Sequence, residues 1–377
     1  MRIEQEKIVR AALRSITDVG SQRLRQLIAY FGSAIDAWEA PQSSYLQIPN
    51  REKWIDNLLR ERTNIEPEEI GDKLLREGIK VTIPGASDYP SLLAELADAP
   101  PLLYYRGHLQ GDAEGLAVVG SRQATAYGKA AARMLARDAA ARGIVIVSGL
   151  ARGIDSAAHK GALESGGKTW AFLGCGVEHI YPKENWRLAE EIMEKGAVIS
   201  EFAPGTAPKA LHFPARNRLI SGCSRGVLVV EAAERSGALI TVDFALEQGR
   251  EVFAVPGPIF SLMSKGTHHL LRQGAKIVEG TDDIWNEIAV WSNPVGRVAF
   301  GNNSFQEEKR MTSNEAEHKT EHEAILQQLS DVPLHIDQII LQSSLPVSAL
   351  SLVLLELQLE GKITQLPGQH YVLAIEC

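Results

Sequence analysis

The chain is 377 residues long, 45% hydrophobic and 23% charged, with a net charge of −8; these are the proportions of a globular protein with two or three domains. No apolar run approaches the ~20 residues of a membrane span, and the opening MRIEQEKIVR lacks the apolar stretch of a signal peptide, so a cytoplasmic protein without a membrane partner is expected. Cys175, Cys223 and Cys377 are too few and too scattered for a disulfide framework or a zinc site, and neither a metal nor a cofactor is expected.

The first domain, 1–71, reads as short helices. Ile8, Ala11, Ala12 and Ile16 recur at helical spacing, Asp18-Val19-Gly20-Ser21 forms a turn, and Leu24, Leu27, Ile28 and Phe31 resume the pattern. This is the outline of a helix-hairpin-helix, or SAM-like, module, with a similar unit around Leu46–Asn50 and a helix from Trp54 to Leu59. Its near-neutral charge favours a structural or partner role over DNA contact.

Residues 79–103 read as an extended lead-in, punctuated by Asp88-Tyr89-Pro90 and Ala99-Pro100-Pro101. From there the period changes. Leu116–Gly120, Ile144–Ser148, Thr169–Gly174, Ala197–Glu201, Val227–Glu231, Val252–Val255 and Lys276–Val278 are short apolar runs, most of them separated by amphipathic helical segments. That alternation predicts an α/β domain over 72–290: a doubly wound, Rossmann-like parallel sheet covered on both faces.

Ligands of such folds sit outside the carboxyl ends of the strands. The loops at that edge are Gly120-Ser121-Arg122, SGLARGID from Ser148 through Gly149, Arg152 and Gly153 to Asp155, GCGVEHIYPK from Gly174 to Lys183, Ala203–Arg218, and Arg235-Ser236-Gly237. Each brings at least one basic side chain. The fourth ends in FPARNRLI, where Phe213 precedes Arg216, Asn217 and Arg218 at a helix start: arginine forks suit phosphate oxygens, and an aromatic face can stack on a base. The same residues also suit an ordinary arrangement, with Phe213 in the core and the arginines paired to Asp or Glu. Gly120, Gly149, Gly153 and Gly237 would allow close backbone approach to an anion.

No GxGxxG follows the first strand, which argues against a dinucleotide. ALESGGKT, Ala162–Thr169, resembles a phosphate loop but would end a helix and enter a strand, the reverse of what that motif requires. Asp155 with His159, and Asp243 with Glu247, lack a nucleophile or metal set, so no catalytic residue is expected.

The ordered motifs GSR, SGLARGID, GCG with Tyr181-Pro182, SEFAPG, FPARNRLI, VVEAAERSGALIT and GREVFAVPG together resemble the DNA-processing protein A family, also called DprA or Smf. The resemblance implies a dimer through the Rossmann-like domain that binds and protects incoming single-stranded DNA and helps load the RecA recombinase in natural transformation. It makes Arg122 a phosphate ligand, Phe213 a base-stacking residue, and Arg216, Asn217 and Arg218 backbone clamps. The family commonly has a lysine three residues before that phenylalanine; here the position is Ala210 and the lysine is Lys209.

Residues 291–319 read as a polar linker. Helices at Glu323–Leu329, Ile336–Leu341 and Ala349–Leu359, with a hairpin over Lys362–Val372, outline a winged-helix domain at 320–377. That segment carries seven acidic residues and one basic residue, so a protein-contact role is expected. Two other readings stand beside the single-strand binder: a Rossmann-like enzyme processing nucleotides or nucleoside monophosphates, and a winged-helix regulator with a ligand-sensing core.

Overall fold

In a computed structural model the described residues are 2–48, 53–292 and a set of positions between 325 and 373. They fall into two compact units, Met1–Pro294 and Val295–Cys377.

The first unit opens with α1 (Arg2–Ser15), α2 (Ser21–Phe31), α3 (Ala34–Glu39), α4 (Gln42–Tyr45), α5 (Lys53–Arg62) and α6 (Pro67–Arg76). Asp18 turns the chain between α1 and α2 with a φ of 70°, a left-handed conformation that a short polar side chain tolerates. Of the second expected hairpin, Pro49 and Asn50 lie outside the described residues. Glu6 ties the helices together: its buried carboxylate accepts from the amides of Ala34 and Ile35 at the start of α3 and from Arg10 Nε, at 2.9, 3.2 and 2.8 Å.

α6 runs across the 71/72 boundary expected from sequence. The helices share one apolar cluster with Ile79, Ile83, Leu102 and Tyr104, residues in or beside β1 (Lys80–Thr82) and β2 (Leu103–Gly107). The extended lead-in is therefore part of the sheet. β2 pairs antiparallel with both β1 and β6 (Ala197–Ser200), and the short α7 (Ser91–Ala94) lies between β1 and β2 in sequence.

The seven remaining strands match the apolar runs within one or two residues: β3 (Gly115–Val119), β4 (Val145–Ser148), β5 (Thr169–Phe172), β6, β7 (Gly226–Val229), β8 (Glu251–Ala254) and β9 (Lys276–Ile277). All seven are parallel, in a nine-stranded sheet of order β1-β2-β6-β5-β4-β3-β7-β8-β9. Between them run α8 (Ala126–Ala141), α9 (Ile154–Glu164), α10 (Trp186–Lys195), α11 (His212–Gly222), α12 (Leu239–Glu247) and α13 (Lys265–Arg272), and α14 (Thr281–Ser292) follows. Alternate residues of β3 serve opposite faces: Leu116 and Val118 pack in a cluster with α8 and α9, Ala117 and Val119 in one with α11 and α12. With both faces buried, every position of the strand is apolar.

ALESGGKT closes α9 and enters β5, so it opens no helix. In the second unit, β11 (Ile363–Leu366) and β12 (His370–Leu373) form the expected hairpin strands, joined by β10 (Leu334–His335) in the order β10-β12-β11. The helix Ile336–Gln342 and Leu350, Val353, Leu354 and Leu357, at helical spacing, supply its core. The expected linker from residue 293 onward lies outside the described residues.

Candidate nucleic-acid interface

The strand order reverses at β3, whose neighbours are β4 on one side and β7 on the other. A crevice outside the carboxyl ends of β3 and β7 is where such a sheet binds ligands. A cleft of about 770 Å³ opens there, lined by Arg122 after β3, Tyr181 after β5, Phe213 and Arg216 at the start of α11, and Ser236 and Gly237 after β7.

Glu231 fixes this edge. Its buried carboxylate accepts from the Thr125 amide at 2.8 Å and the Thr125 hydroxyl at 2.6 Å, and its backbone carbonyl accepts from the Ser121 amide at 2.7 Å. Thr125 in turn caps α8 by accepting from the Gly128 amide at 3.1 Å, so a buried anion sits at that helix's positive end. The GSR loop is thereby pinned on β7, and Arg122 projects from it, exposed and without an ion pair among the described residues.

The guanidinium of Arg122 lies over the Phe213 ring at 5.3 Å from its centroid. Arg216 approaches the same ring at 6.0 Å and the Tyr181 ring lies 5.7 Å away, tilted by 41°. Phe213 is half-buried and Tyr181 exposed. Two aromatic surfaces and two cations thus border one cleft, the combination that stacks bases and neutralises phosphates.

Arg216 differs from the expected exposed clamp. It is 4% exposed, and its Nη1 donates to the carbonyl of Phe172 at the end of β5, at 2.5 Å. Burial pushes its pKa down to about 10, against the opposing pull of Asp155. Gly149 makes the room: a Cβ there would stand 1.9 Å from Nη1. This glycine therefore accommodates the protein's own guanidinium rather than a ligand. Asp155 accepts from the Gly149 and Ala151 amides at 3.2 and 3.3 Å, and its carboxyl is raised by burial with Arg216 opposing. Arg216 is thus a fixed positive charge under the cleft floor, where solvent screens it little.

A model of the DNA recombination-mediator protein A family matches residues 80–289, and one of the DprA winged helix domain matches 309–369. The chain belongs to this family. It is 31% identical to the Protein Smf of Synechocystis over 96% of its own length and 97% of the relative's. The X-ray structure of DprA from Streptococcus pneumoniae superposes with a TM-score of 0.65 at 36% identity, covering 76% of this chain and 99% of that one. A DprA structure from Helicobacter pylori, described for its single-stranded DNA binding mode, superposes at 0.50 and 29% identity, covering 56% and 96%. The family accounts for the winged helix and makes the chain a relative of DNA-processing recombination mediators.

Within this DprA fold the expected site residues separate. Arg218 holds Glu201 Oε2 at 2.5 Å and Asp98 Oδ2 at 3.1 Å, so the ordinary ion-pair arrangement applies to it. Ser148 is fully buried and donates to the Val118 carbonyl at 2.6 Å, bracing β4 against β3 instead of facing a ligand. Gly120 and Gly153 serve internal packing: Cβ atoms there would stand 2.6 Å from Ile154 Cγ1 and 2.2 Å from the Ser121 carbonyl, and Gly153 has a φ of 78°. Ser121 is also nearly buried, its hydroxyl directed at Met263 Sδ, 3.4 Å away. Around Gly237 a Cβ would meet nothing within 4 Å, so its backbone alone is open to a ligand. Asn217 Nδ2 donates to the Gly237 carbonyl at 3.4 Å, and the Ser236 hydroxyl accepts from the Ala238 amide at 3.3 Å. Lys209 is exposed; Pro208 and Ala210 on either side line the cleft and Lys209 does not. Arg152 is exposed and paired with Glu184 at 2.6 Å.

Sequence reasoning missed Glu231 and the stacking surface of Tyr181. A carboxylate closing an otherwise apolar buried strand opposite GSR was the available signal for Glu231. His159 is fully buried: Thr169 Oγ1 spends its proton on the Ile146 carbonyl at 2.6 Å, so His159 Nδ1, 2.7 Å away, is the donor to it. Among the described residues no cluster of three or more His, Cys, Asp or Glu could hold a metal, and no helix is long and apolar enough to cross a membrane.

Proposed function

We propose that the cleft binds single-stranded DNA, with Phe213 and Tyr181 stacking on bases, Arg122 as the exposed phosphate ligand, Arg216 as a buried charge beneath the strand, and the Gly237 backbone close to the phosphates. The observation that carries this reading is the Arg122–Phe213–Arg216 assembly at the switch point of the sheet. Because every base has a ring face and every nucleotide a phosphate, such a site tolerates most sequences. The Helicobacter pylori relative, described by its single-stranded DNA binding mode, supports the same ligand.

On this reading the protein is a binder and not a catalyst. It acts in the cytoplasm as a recombination mediator, protecting the strand and handing it to the RecA recombinase, and works as a homodimer through the Rossmann-like domain, 72–290. A linker, expected at 291–319 and starting no earlier than the end of α14 at Ser292, then tethers a winged helix, 320–377, whose acidity suits a protein partner better than phosphate.

Titration with a single-stranded oligonucleotide and its duplex, beside a nucleotide-hydrolysis assay, tests the proposal. Binding should prefer the single strand and weaken with salt at a slope of about −0.7 per phosphate neutralised. Equal affinity for the duplex, or hydrolysis that depends on the cleft residues, would overturn it.

A further inference from the structure

A second concavity of about 600 Å³ adjoins the cleft, lined by Lys129 and Arg133 of α8, Arg152 before α9, Lys160 of α9, Glu184, and Arg122 of the GSR loop. Five cations face one carboxylate there. Arg122 borders both the groove and the cleft, and a smaller hollow lined by Arg122, Arg152, Tyr181, Phe213 and Arg216 joins them.

The groove is built by close helix packing. Lys129 and Arg133 are four residues apart, one turn along the same face of α8. Gly161 lets α9 come against that face: a Cβ at 161 would stand 2.1 Å from the Arg133 carbonyl. That close approach brings Lys160 to the same groove. Two cations are engaged, Arg133 with Glu164 at 2.7 Å and Arg152 with Glu184 at 2.6 Å. Among the described residues Lys129, Lys160 and Arg122 form no ion pair, and all three are exposed. Both helices begin at this end, so their positive poles add to the side-chain charge.

Glu164 attracts Lys160 and Asp155 attracts Arg122 at longer range, but neither pair closes to an ion pair. Packing of the helices alone does not require this surplus of charge, because Lys129 and Lys160 reach into water and repel each other. No aromatic ring lines the groove, so its chemistry suits a sugar-phosphate backbone and not a stacked base. We infer that the groove carries the phosphodiester backbone of the same single strand after it leaves the cleft, with Lys129 and Lys160 as phosphate ligands and Arg122 as the hinge between the two stretches. The inference rests on the cleft being a single-strand site.

The test uses the full chain and two oligothymidylates, of about 4 and about 16 nucleotides, the limits of compact single-strand sites. In the double variant Lys129→Gln, Lys160→Gln, affinity for the long strand should fall, and its salt slope should become shallower by roughly 1.4, or 0.7 for each phosphate no longer neutralised. Affinity for the short strand, which the cleft can hold alone, should stay within twofold, and thermal melting should match the parent. Phe213→Ala should weaken both lengths.

Unchanged long-strand affinity and slope in the double variant, with both lengths weakened by Phe213→Ala, would overturn the groove and leave the cleft standing. If Phe213→Ala affects neither length, the cleft reading fails. A loss confined to the double variant would likewise overturn the continuous path, since the polyanion would then bypass the cleft.

Discussion

The Arg122 guanidinium lies 5.3 Å from the centroid of the Phe213 ring, although the two residues follow β3 and β6 and are separated by some ninety positions of chain. The pairing prepares a cation and a ring face at one spot before any ligand arrives. Arg122→Ala should weaken single-strand binding by roughly 1.5–3 kcal/mol, as expected for a charged hydrogen bond. Phe213→Ala should cost roughly 1–3 kcal/mol. The double variant should fall short of the sum of the two single effects, because each single change already disturbs the other partner. Strict additivity in oligonucleotide titrations would show that the two act separately.

Arg218 should behave differently from its neighbours. Removing it strands Glu201, which is 7% exposed, so Arg218→Ala should lower stability by roughly 1.5–3 kcal/mol. Binding measured well below the melting temperature should change little. A stable Arg218→Ala protein that no longer binds would return this arginine to the DNA surface.

Two glycines separate packing from recognition. Gly149→Ala places a methyl against the Arg216 guanidinium and should destabilise by roughly 1–3 kcal/mol, the cost of overpacking. Gly237→Ala meets open space and should leave stability within about 0.5 kcal/mol. It should nevertheless weaken binding, if a phosphate approaches that backbone. Melts and titrations on both variants read the contrast directly.

Acid should destabilise the fold through His159. Burial lowers the His159 pKa from 6.5 to about 3, with the positive charge of Arg216 adding to the shift. Below the unfolded value the unfolded chain takes up a proton that the native state refuses. The stability held at neutral pH is therefore lost progressively from about pH 6.5 down to about 3, at up to ~1.4 kcal/mol per pH unit. His159→Gln, uncharged throughout, should flatten that part of the stability profile in urea titrations, and an unchanged profile would assign the acid sensitivity elsewhere.

Deleting everything after Gly301 should leave single-strand affinity unchanged or slightly raised, since the removed part carries seven acidic residues and one basic one from 320 onward. A large loss of affinity in the truncated protein would show that the winged helix reads DNA.

The parallel sheet was legible in the sequence because strands buried on both faces are largely apolar, and six such runs appear in order; the seventh, β9, is a short edge strand whose Ile277 is exposed. The candidate edge followed from the same reading, since each basic loop leaves a strand at its carboxyl end. β1 and β2 were not legible: short strands with Pro-rich surroundings read as extended chain until the antiparallel pairing of β2 with β6 is seen. Nor could the sequence assign Arg216 and Arg218. Two positions apart on a helix, they point roughly 200° from each other, so one enters the core beneath the cleft and the other turns to Glu201 and Asp98. Whether an arginine meets a carbonyl, a carboxylate or a free phosphate depends on what other segments bring beside it. Only the tertiary structure supplies those neighbours: Phe172 from β5, Glu201 after β6, and Gly149 with room for a guanidinium where a side chain would stand.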